Sequence, residues 1–224
     1  MLNDKQIVAI AAAKYVEDGM LVGLGTGSTA NYFIEELARR MREERLKITT
    51  VASSTISAQY AQSCQLPLKA IEHIHALDIY VDGADEIAPN NTVLKGRGSD
   101  LVKEKLLARG ATQFIVVADH TKLVGFIGEK NPIPIEVTPF AWQLVKHRLA
   151  QLGATPVLRP NAAGDGFWVT SHGCYVLDTH FSHNPDSLAL NTIINNVPGI
   201  VAHGIFEGLA TTVLVADNGK VTQR

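Results

Sequence analysis

"MLVGLGTGSTANYFIEELARRMREERL", residues 20–46, holds a short apolar run, glycines at 23, 25 and 27, and a long amphipathic segment. The run "MLVGLG" reads as a short buried strand. Behind it, Ile34, Leu37, Ala38 and Met41 fall at the spacing of one helical face, so residues 28–46 read as a helix. Strand, glycine turn and helix form one repeating unit of a parallel sheet, and the question is whether the unit recurs.

It recurs on both sides. Upstream, "NDKQIVAIAAAKYVEDG" (3–19) reads as a helix capped by Asn3, with Gln6 three residues on and Gly19 at its end. Downstream come a strand in "ITTVAS" (48–53), a helix in "TISAQYAQSC" (55–64) and a strand in "LDIYVDGAD" (77–85). "TVLKGRG" (92–98) then leads into the helix "SDLVKEKLLARG" (99–110), and "QFIVVAD" (113–119) is again a strand. This alternation predicts an α/β fold with a doubly wound, mostly parallel, Rossmann-like sheet. Near "GEKNPIPIEVTP" (128–139) the texture changes, and from there the elements run β-α-β-β-α-β, the order of a ferredoxin-like α+β domain. "TTVLVADNGKVTQR" (211–224) supplies a last pair of strands that could rejoin the first sheet. The expected division is an α/β domain over 1–130 and 206–224, with a smaller α+β domain inserted at 131–205.

The 224 residues are 46% hydrophobic and 19% charged, an ordinary globular composition with enough chain to bury a substantial core. A formal net charge of −2 speaks against a general nucleic-acid binder. Cys64 and Cys174 make no CxxC pair and no disulfide framework, which fits a reducing compartment. The apolar run in "IVAIAAAKY" is seven residues long, is interrupted by Lys14 and has no basic segment before it, so it does not read as a signal peptide. No stretch approaches the roughly 18 apolar residues of a membrane span. The expected location is the cytoplasm, with no membrane and no nucleic-acid partner.

Three stretches carry chemistry. In "GLGTGSTA" (23–30) a glycine turn opens a helix, which exposes backbone N–H groups and a positive helix end to phosphate. Ser28 stands at the third position of the dinucleotide fingerprint, and the next strand ends without the acid that grips a ribose. Thr26, Ser28 and Thr29 instead offer hydroxyls to a small phosphorylated ligand, or the turn is simply tight and serine-capped. "YVDGADEI" (80–87) crowds Asp82, Asp85 and Glu86 at the carboxyl end of a strand, where open parallel sheets bind ligands. Proton-handling carboxylates, a divalent-metal site and plain Asp-Gly turn chemistry all fit that pattern. "LKGRGSDLVKEK" (94–105) gives a cation, Lys95, then two glycines, then Glu104 at the margin of an apolar helix face between Lys103 and Lys105. Such a margin raises a carboxyl pKa and suits a general base, whereas a solvated surface glutamate is the ordinary alternative. Lys122 in "ADHTK" ends another strand, as a phosphate contact or a surface lysine. Asp178, His180 and His183 in "DTHFSHN" match no strong zinc spacing.

Taken together, "GLGTGSTA", "YVDGADEI", "LKGRGSDLVKEK" and "ADHTK" resemble the type A ribose-5-phosphate isomerases, in order and over nearly the whole chain. The resemblance implies interconversion of ribose 5-phosphate and ribulose 5-phosphate in the non-oxidative pentose phosphate pathway, with no cofactor and no metal, by a homodimer or homotetramer. It casts Glu104 as the base, Asp82 and Asp85 as proton carriers, and Lys95 as the cation facing the enediolate. It casts Thr26, Gly27, Ser28, Thr29, Gly83, Ala84, Gly96, Arg97, Gly98, Lys122 and Lys5 as substrate contacts beside them. Where the family pattern has three glycines after the lysine, this chain has Gly96-Arg97-Gly98, and Asp100 stands where a small residue is usual. A positive φ at residue 97 would strain an arginine, and Arg97 could contact the ligand or pair with Asp100.

Overall fold

The computed structural model describes residues 2–98, 100–182 and 186–224. Its residues gather into two compact units. One comprises Met1–Ala84, Lys103–Lys122 and Gly208–Arg224, the other Asp85–Val102 and Leu123–Glu207.

The first unit is built on a six-stranded sheet. In chain order its strands are β1 (Leu21–Leu24), β2 (Thr49–Ala52), β3 (Leu77–Asp82), β6 (Ala111–Asp119), β12 (Thr212–Asp217) and β13 (Lys220–Gln223). Their spatial order is β13-β12-β6-β3-β1-β2, parallel throughout except for β13, which pairs antiparallel to β12. From β1 the chain runs outward to β2, then returns to place β3 on the other side of β1. The topological switch point therefore lies between β1 and β3, at whose carboxyl ends a ligand crevice is expected.

Helices α1 (Asp4–Ala13), α2 (Ser28–Glu43) and α3 (Thr55–Ser63) follow the sequence pattern. A full capping box starts α1: Gln6 N donates to Asn3 Oδ1 at 2.9 Å and Asn3 N donates to Gln6 Oε1 at 3.0 Å. The helix stops at Ala13, short of the expected Gly19. The last amides tighten into three-residue turns, and Asp18 and Gly19 turn away to bond residue 47: Lys47 N donates to Asp18 Oδ1 at 2.8 Å and Gly19 N to Lys47 O at 2.7 Å. In α2 the buried side chains are Ala30, Phe33, Ile34, Leu37 and Ala38, one continuous stripe. Burying Phe33, Ile34 and Leu37 stabilises this packing by about 1.5–3 kcal/mol each. They join Val22, Leu24, Ile79, Val81 and Ile115 of the sheet in one core cluster.

The second unit holds a four-stranded antiparallel sheet of β7 (Ile133–Val137), β8 (Ala154–Leu158), β9 (Tyr175–Phe181) and β10 (Ile200–His203), ordered β10-β7-β9-β8. With α5 (Trp142–Gln151) after β7 and α6 (Ser187–Asn195) after β9, this is the ferredoxin-like order. Along β7, Ile133, Ile135 and Val137 face the cluster formed with Val145, Leu149, Leu190 and Ile194 of the helices. Glu136 alternates to the other face and is nonetheless fully buried. Three two-residue strands, β4 (Glu86–Ile87), β5 (Val93–Leu94) and β11 (Ile205–Phe206), make a small antiparallel sheet. The remaining helix, α4 (Leu101–Gly110), carries Glu104.

Candidate active site

In the first unit the switch point is occupied by the glycine turn and by Asp82. Asp82 is wholly buried at the end of β3. Its Oδ1 accepts from Thr26 N at 3.0 Å and Gly83 N at 2.7 Å, and its Oδ2 accepts from the Tyr80 hydroxyl. The backbone of Gly25 comes so close that an added Cβ would stand 2.2 Å from Asp82 Oδ1 and 2.6 Å from Asp82 Cα. Only glycine allows β1 and β3 to meet there. The Thr26 hydroxyl turns inward: it donates to Ser54 Oγ at 2.7 Å and lies 3.0 Å from Ser53 Oγ. Ser53, Ser54 and Ser57, all buried, form a hydroxyl floor beneath the turn.

Gly27, at φ 110°, then opens α2, where no side chain caps the helix and no acid stands in the first turn. The positive end of α2 is thus open to an anion. Gly27 and Ser28 are exposed and Thr29 half-buried. Lys5 reaches over from α1, its Nζ donating to Ser28 Oγ at 3.0 Å. A pocket of about 530 Å³ beside them is lined by Lys5, Ser28, Tyr32, Asp119, His120 and Thr121, among others. Asp119 is partly desolvated, yet bonds from Thr121 and the charges of Lys122 and Lys5 hold its pKa below the usual value. Lys5 and Lys122 therefore bring positive charge near Asp119, and Lys5 also reaches the first residue of α2.

Glu104 is 4% exposed on α4, sharing a buried face with Leu107 and Ala108. It is not a solvated surface glutamate, although Lys103 and Lys105 flank it in sequence. Burial, then the charges of Asp82 and Glu104, push the Tyr80 hydroxyl well above its ordinary pKa. Tyr80 consequently stays protonated and donating. Its ring stacks on Phe114 of β6 with centroids 5.1 Å apart. Burial and then the neighbouring Arg109 charge lower Lys105 to about 7.

The second unit carries the remaining candidates. Lys95 is 4% exposed, with its Nζ 5.8 Å above the centre of the Phe206 ring and its backbone N donating to Gly204 O at 2.9 Å. Asp85 is half-buried, and its backbone N donates to Leu94 O at 2.8 Å. Gly83 and Ala84, which precede it in sequence and belong to the first unit, are half-buried. Glu86, to which the resemblance assigns no role, is fully buried and accepts from Gly128 N, Lys130 N, Asn131 N and Asn131 Nδ2 at 2.6–3.0 Å. Gly96 takes the positive φ of the following loop, at 96°, while Arg97 stays out of the left-handed region, so the expected strain at 97 does not arise. Arg97 and Gly98 are exposed. Arg97 pairs with Asn131 rather than Asp100, and Asp100 accepts from Ser171.

Among the described residues, the ligand atoms of Asp4, His120 and Asp217 come within 4.8 Å of one another, the spacing a cation would require. Asp4 there already accepts from Asn218 N and Gly219 N, and His120 Nδ1 lies 3.1 Å from Asp217 Oδ1. Asp178 is bound in a fork by Arg159, and His183 lies outside the described residues. Among the described residues no helix is long and apolar enough to cross a membrane. Sequence reasoning passed over Tyr80, Asp119 and the serines at 53, 54 and 57. The string "SSTIS" behind a strand was the available signal for the serines, since Ser54 and Ser57 form a capping box.

The family profile described as Ribose 5-phosphate isomerase A (phosphoriboisomerase A) matches residues 49–220. Ribose-5-phosphate isomerase A of Thermococcus kodakarensis is 41% identical over 212 residues, covering 94% of this chain and 93% of its own. The solved structure of ribose 5-phosphate isomerase A from Methanocaldococcus jannaschii superposes with a TM-score of 0.93 at 38% identity, covering 98% of this chain and 97% of that one. A D-ribose-5-phosphate isomerase in complex with phospho-erythronic acid gives a TM-score of 0.95 at 36% identity, covering 100% and 99%.

Proposed function

The chain belongs to the ribose 5-phosphate isomerase A family, and from that premise we propose that it interconverts ribose 5-phosphate and ribulose 5-phosphate through an enediolate, with Glu104 as the base. The burial of Glu104 carries this reading. An acid withdrawn from water on an apolar helix face, in the same unit as an open helix N-terminus, is poorly explained by packing alone.

Aldose–ketose isomerisation moves a proton from C2 to C1 and another between the neighbouring oxygens. The Glu104 carboxylate takes the C2 proton, and the electron pair left behind becomes the enediolate. The same group returns the proton to C1. Asp82 and Asp85 assist ring opening and the exchange between O1 and O2, and the Lys95 ammonium stabilises the oxyanion. The phosphate sits at the N-terminus of α2 with Lys5 and Lys122, and its binding energy positions the reacting carbons. No step calls on a metal. The phospho-erythronic acid bound by a relative of the same fold supports a phosphorylated short-chain ligand.

The test is Glu104→Gln, assayed after exhaustive chelation. Glutamine keeps the shape but cannot take a carbon-bound proton, so kcat should fall about 10²–10⁴-fold with the Kd for phospho-erythronic acid little changed. A near-parental kcat would remove Glu104 from the mechanism, and loss of parental turnover on chelation would overturn the metal-free scheme.

A further inference from the structure

The loop after Lys95 is fastened through two of its own side chains, and each fastening ends on a buried glutamate of the second unit. Arg97 Nη1 donates to Asn131 Oδ1 at 2.7 Å. The orientation of that amide is fixed, because Asn131 Nδ2 donates to Glu86 Oε1 at 3.0 Å and leaves only the oxygen for Arg97. Asn131 N also bonds Glu86 Oε1, at 2.6 Å, and Gly128 N bonds Oε2 at 2.7 Å. Arg97 thus grips a group that is already held.

Three residues on, Asp100 is 8% exposed and its Oδ1 accepts from Ser171 Oγ at 2.7 Å. Ser171 lies in a turn closed by backbone bonds between Thr170 and Cys174 and between Gly173 and Thr170. The Thr170 hydroxyl donates to the fully buried Glu136 at 2.8 Å and accepts from Cys174 N at 3.1 Å. A third contact, from Arg159 Nη1 to the Arg97 carbonyl at 3.4 Å, comes from a guanidinium locked in a fork on Asp178. Gly96 adds a backbone constraint: at φ 96° it sits so close to Leu101 and Pro134 that a Cβ would lie 2.8 Å and 3.1 Å from them.

A flexible, exposed stretch would need none of this. We propose that Arg97 and Asp100 are positioning residues, which hold residues 95–98 and Asp100 in one conformation by tying them to Glu86 and Glu136. The inference deepens the isomerase reading and rests on it for its kinetic consequence. Freed from either tie, the segment samples other conformations and the productive one is populated less, so turnover falls while phosphate binding at the other unit's helix terminus does not.

The experiment compares Arg97→Ala, Asp100→Ala, Asp100→Asn, Ser171→Ala and the double Asp100→Ala/Ser171→Ala variant with the parent. The measurements are kcat, the Kd for phospho-erythronic acid, Tm, and hydrogen exchange of the amides at 95–100. The expected result is a fall in kcat of about tenfold for Arg97→Ala and for Asp100→Ala, with Tm near parental in both, Kd near parental for Asp100→Ala, and faster exchange at 95–100. Asparagine keeps the acceptor for Ser171, so Asp100→Asn should retain most activity, and the double variant should be no worse than Asp100→Ala alone. Unchanged kcat in both alanine variants, or additive losses in the double variant, would overturn the proposal. If the parent itself lacks isomerase activity, the catalytic reading fails, and exchange alone then decides the inference: unchanged protection at 95–100 in both alanine variants sinks it.

Discussion

Replacing Asp82 by asparagine separates scaffold from chemistry, because the structure states what each role requires. The carboxylate is wholly buried, and among the donors to it are Thr26 N, Gly83 N and the Tyr80 hydroxyl. Alanine would remove all three bonds and leave a void, at about 1–3 kcal/mol per buried donor left unsatisfied, which risks losing the fold. Asparagine keeps Oδ1 for the two backbone donors, and its amide can face the Tyr80 oxygen once that hydroxyl rotates to accept. What disappears is the charge. The difference between charge-assisted and neutral bonds amounts to about 1–3 kcal/mol here, or a Tm lowered by roughly 2–10 °C. The protein should stay folded with its glycine turn in place. If Asp82 moves protons between the substrate oxygens, kcat should nevertheless fall about 10²–10⁴-fold. Tyr80→Phe is the control, since it removes one donor and leaves the acid. The assay pairs kcat with Tm and with the Kd for phospho-erythronic acid. A kcat for Asp82→Asn close to that of Tyr80→Phe would refute the proton-carrier role and leave Asp82 as the post on which the turn is hung.

Gly25→Ala drives a methyl into backbone and carboxylate at 2.2–2.6 Å; the soluble fraction should drop or substrate affinity collapse, and parental kcat/KM would contradict the close approach of β1 to β3. Lys105, lowered to about 7 by burial and by Arg109, should be acetylated first among the lysines when a limiting acylating reagent is used at pH 7. About half of its amines are then neutral, against on the order of one in 10³ for an ordinary lysine, and mass spectrometry showing no preference would dismiss the shift. Glu136 has its pKa raised above 4.5 by burial, with the Asp100 charge adding to it and Thr170 and His172 offsetting part. The folded state therefore binds the proton more tightly than the unfolded chain, and stability is lost as pH rises through the folded pKa. Glu136→Gln, which cannot ionise, should gain in Tm over the parent as pH increases from about 4.5; a gap that narrows with rising pH would reverse the sign.

The repeating strand–turn–helix pattern was legible because buried faces impose a period, as Ile34, Leu37 and Ala38 do on α2. The ferredoxin-like order of the second unit could be read for the same reason. The end of α1 could not be read, because Asp18 and Gly19 are drawn off by Lys47, 29 residues from Asp18 along the chain. Strands β4, β5 and β11 have two residues each, too few to show any period. The wheel position of Glu104 placed it at an apolar margin, but only the fold shows that the margin is covered. Arg97 was the position where local reasoning misled. A glycine-flanked arginine suggests backbone strain, yet the positive φ falls on Gly96, and the side chain finds a partner 34 residues away.

The crowded acids of "YVDGADEI" now have separate explanations, and the difference lies in their donors. A buried carboxylate persists only where enough N–H or O–H groups converge on it. Asp82 obtains two backbone amides and a tyrosine hydroxyl because β3 ends beside the turn that follows β1. Glu86 obtains three backbone amides and a side-chain amide from residues 128–131, a set that uses both of its oxygens and leaves it a frame for that loop. Asp85, between them, is half-buried, so water still reaches it. Glu86, with donors on both oxygens, is suited to framing its loop, and Asp85 stays open to water, while Asp82 fixes the posture of the glycine turn beside the proton role proposed for it. Hence the asparagine substitution, which removes charge and keeps shape, is the informative one at Asp82.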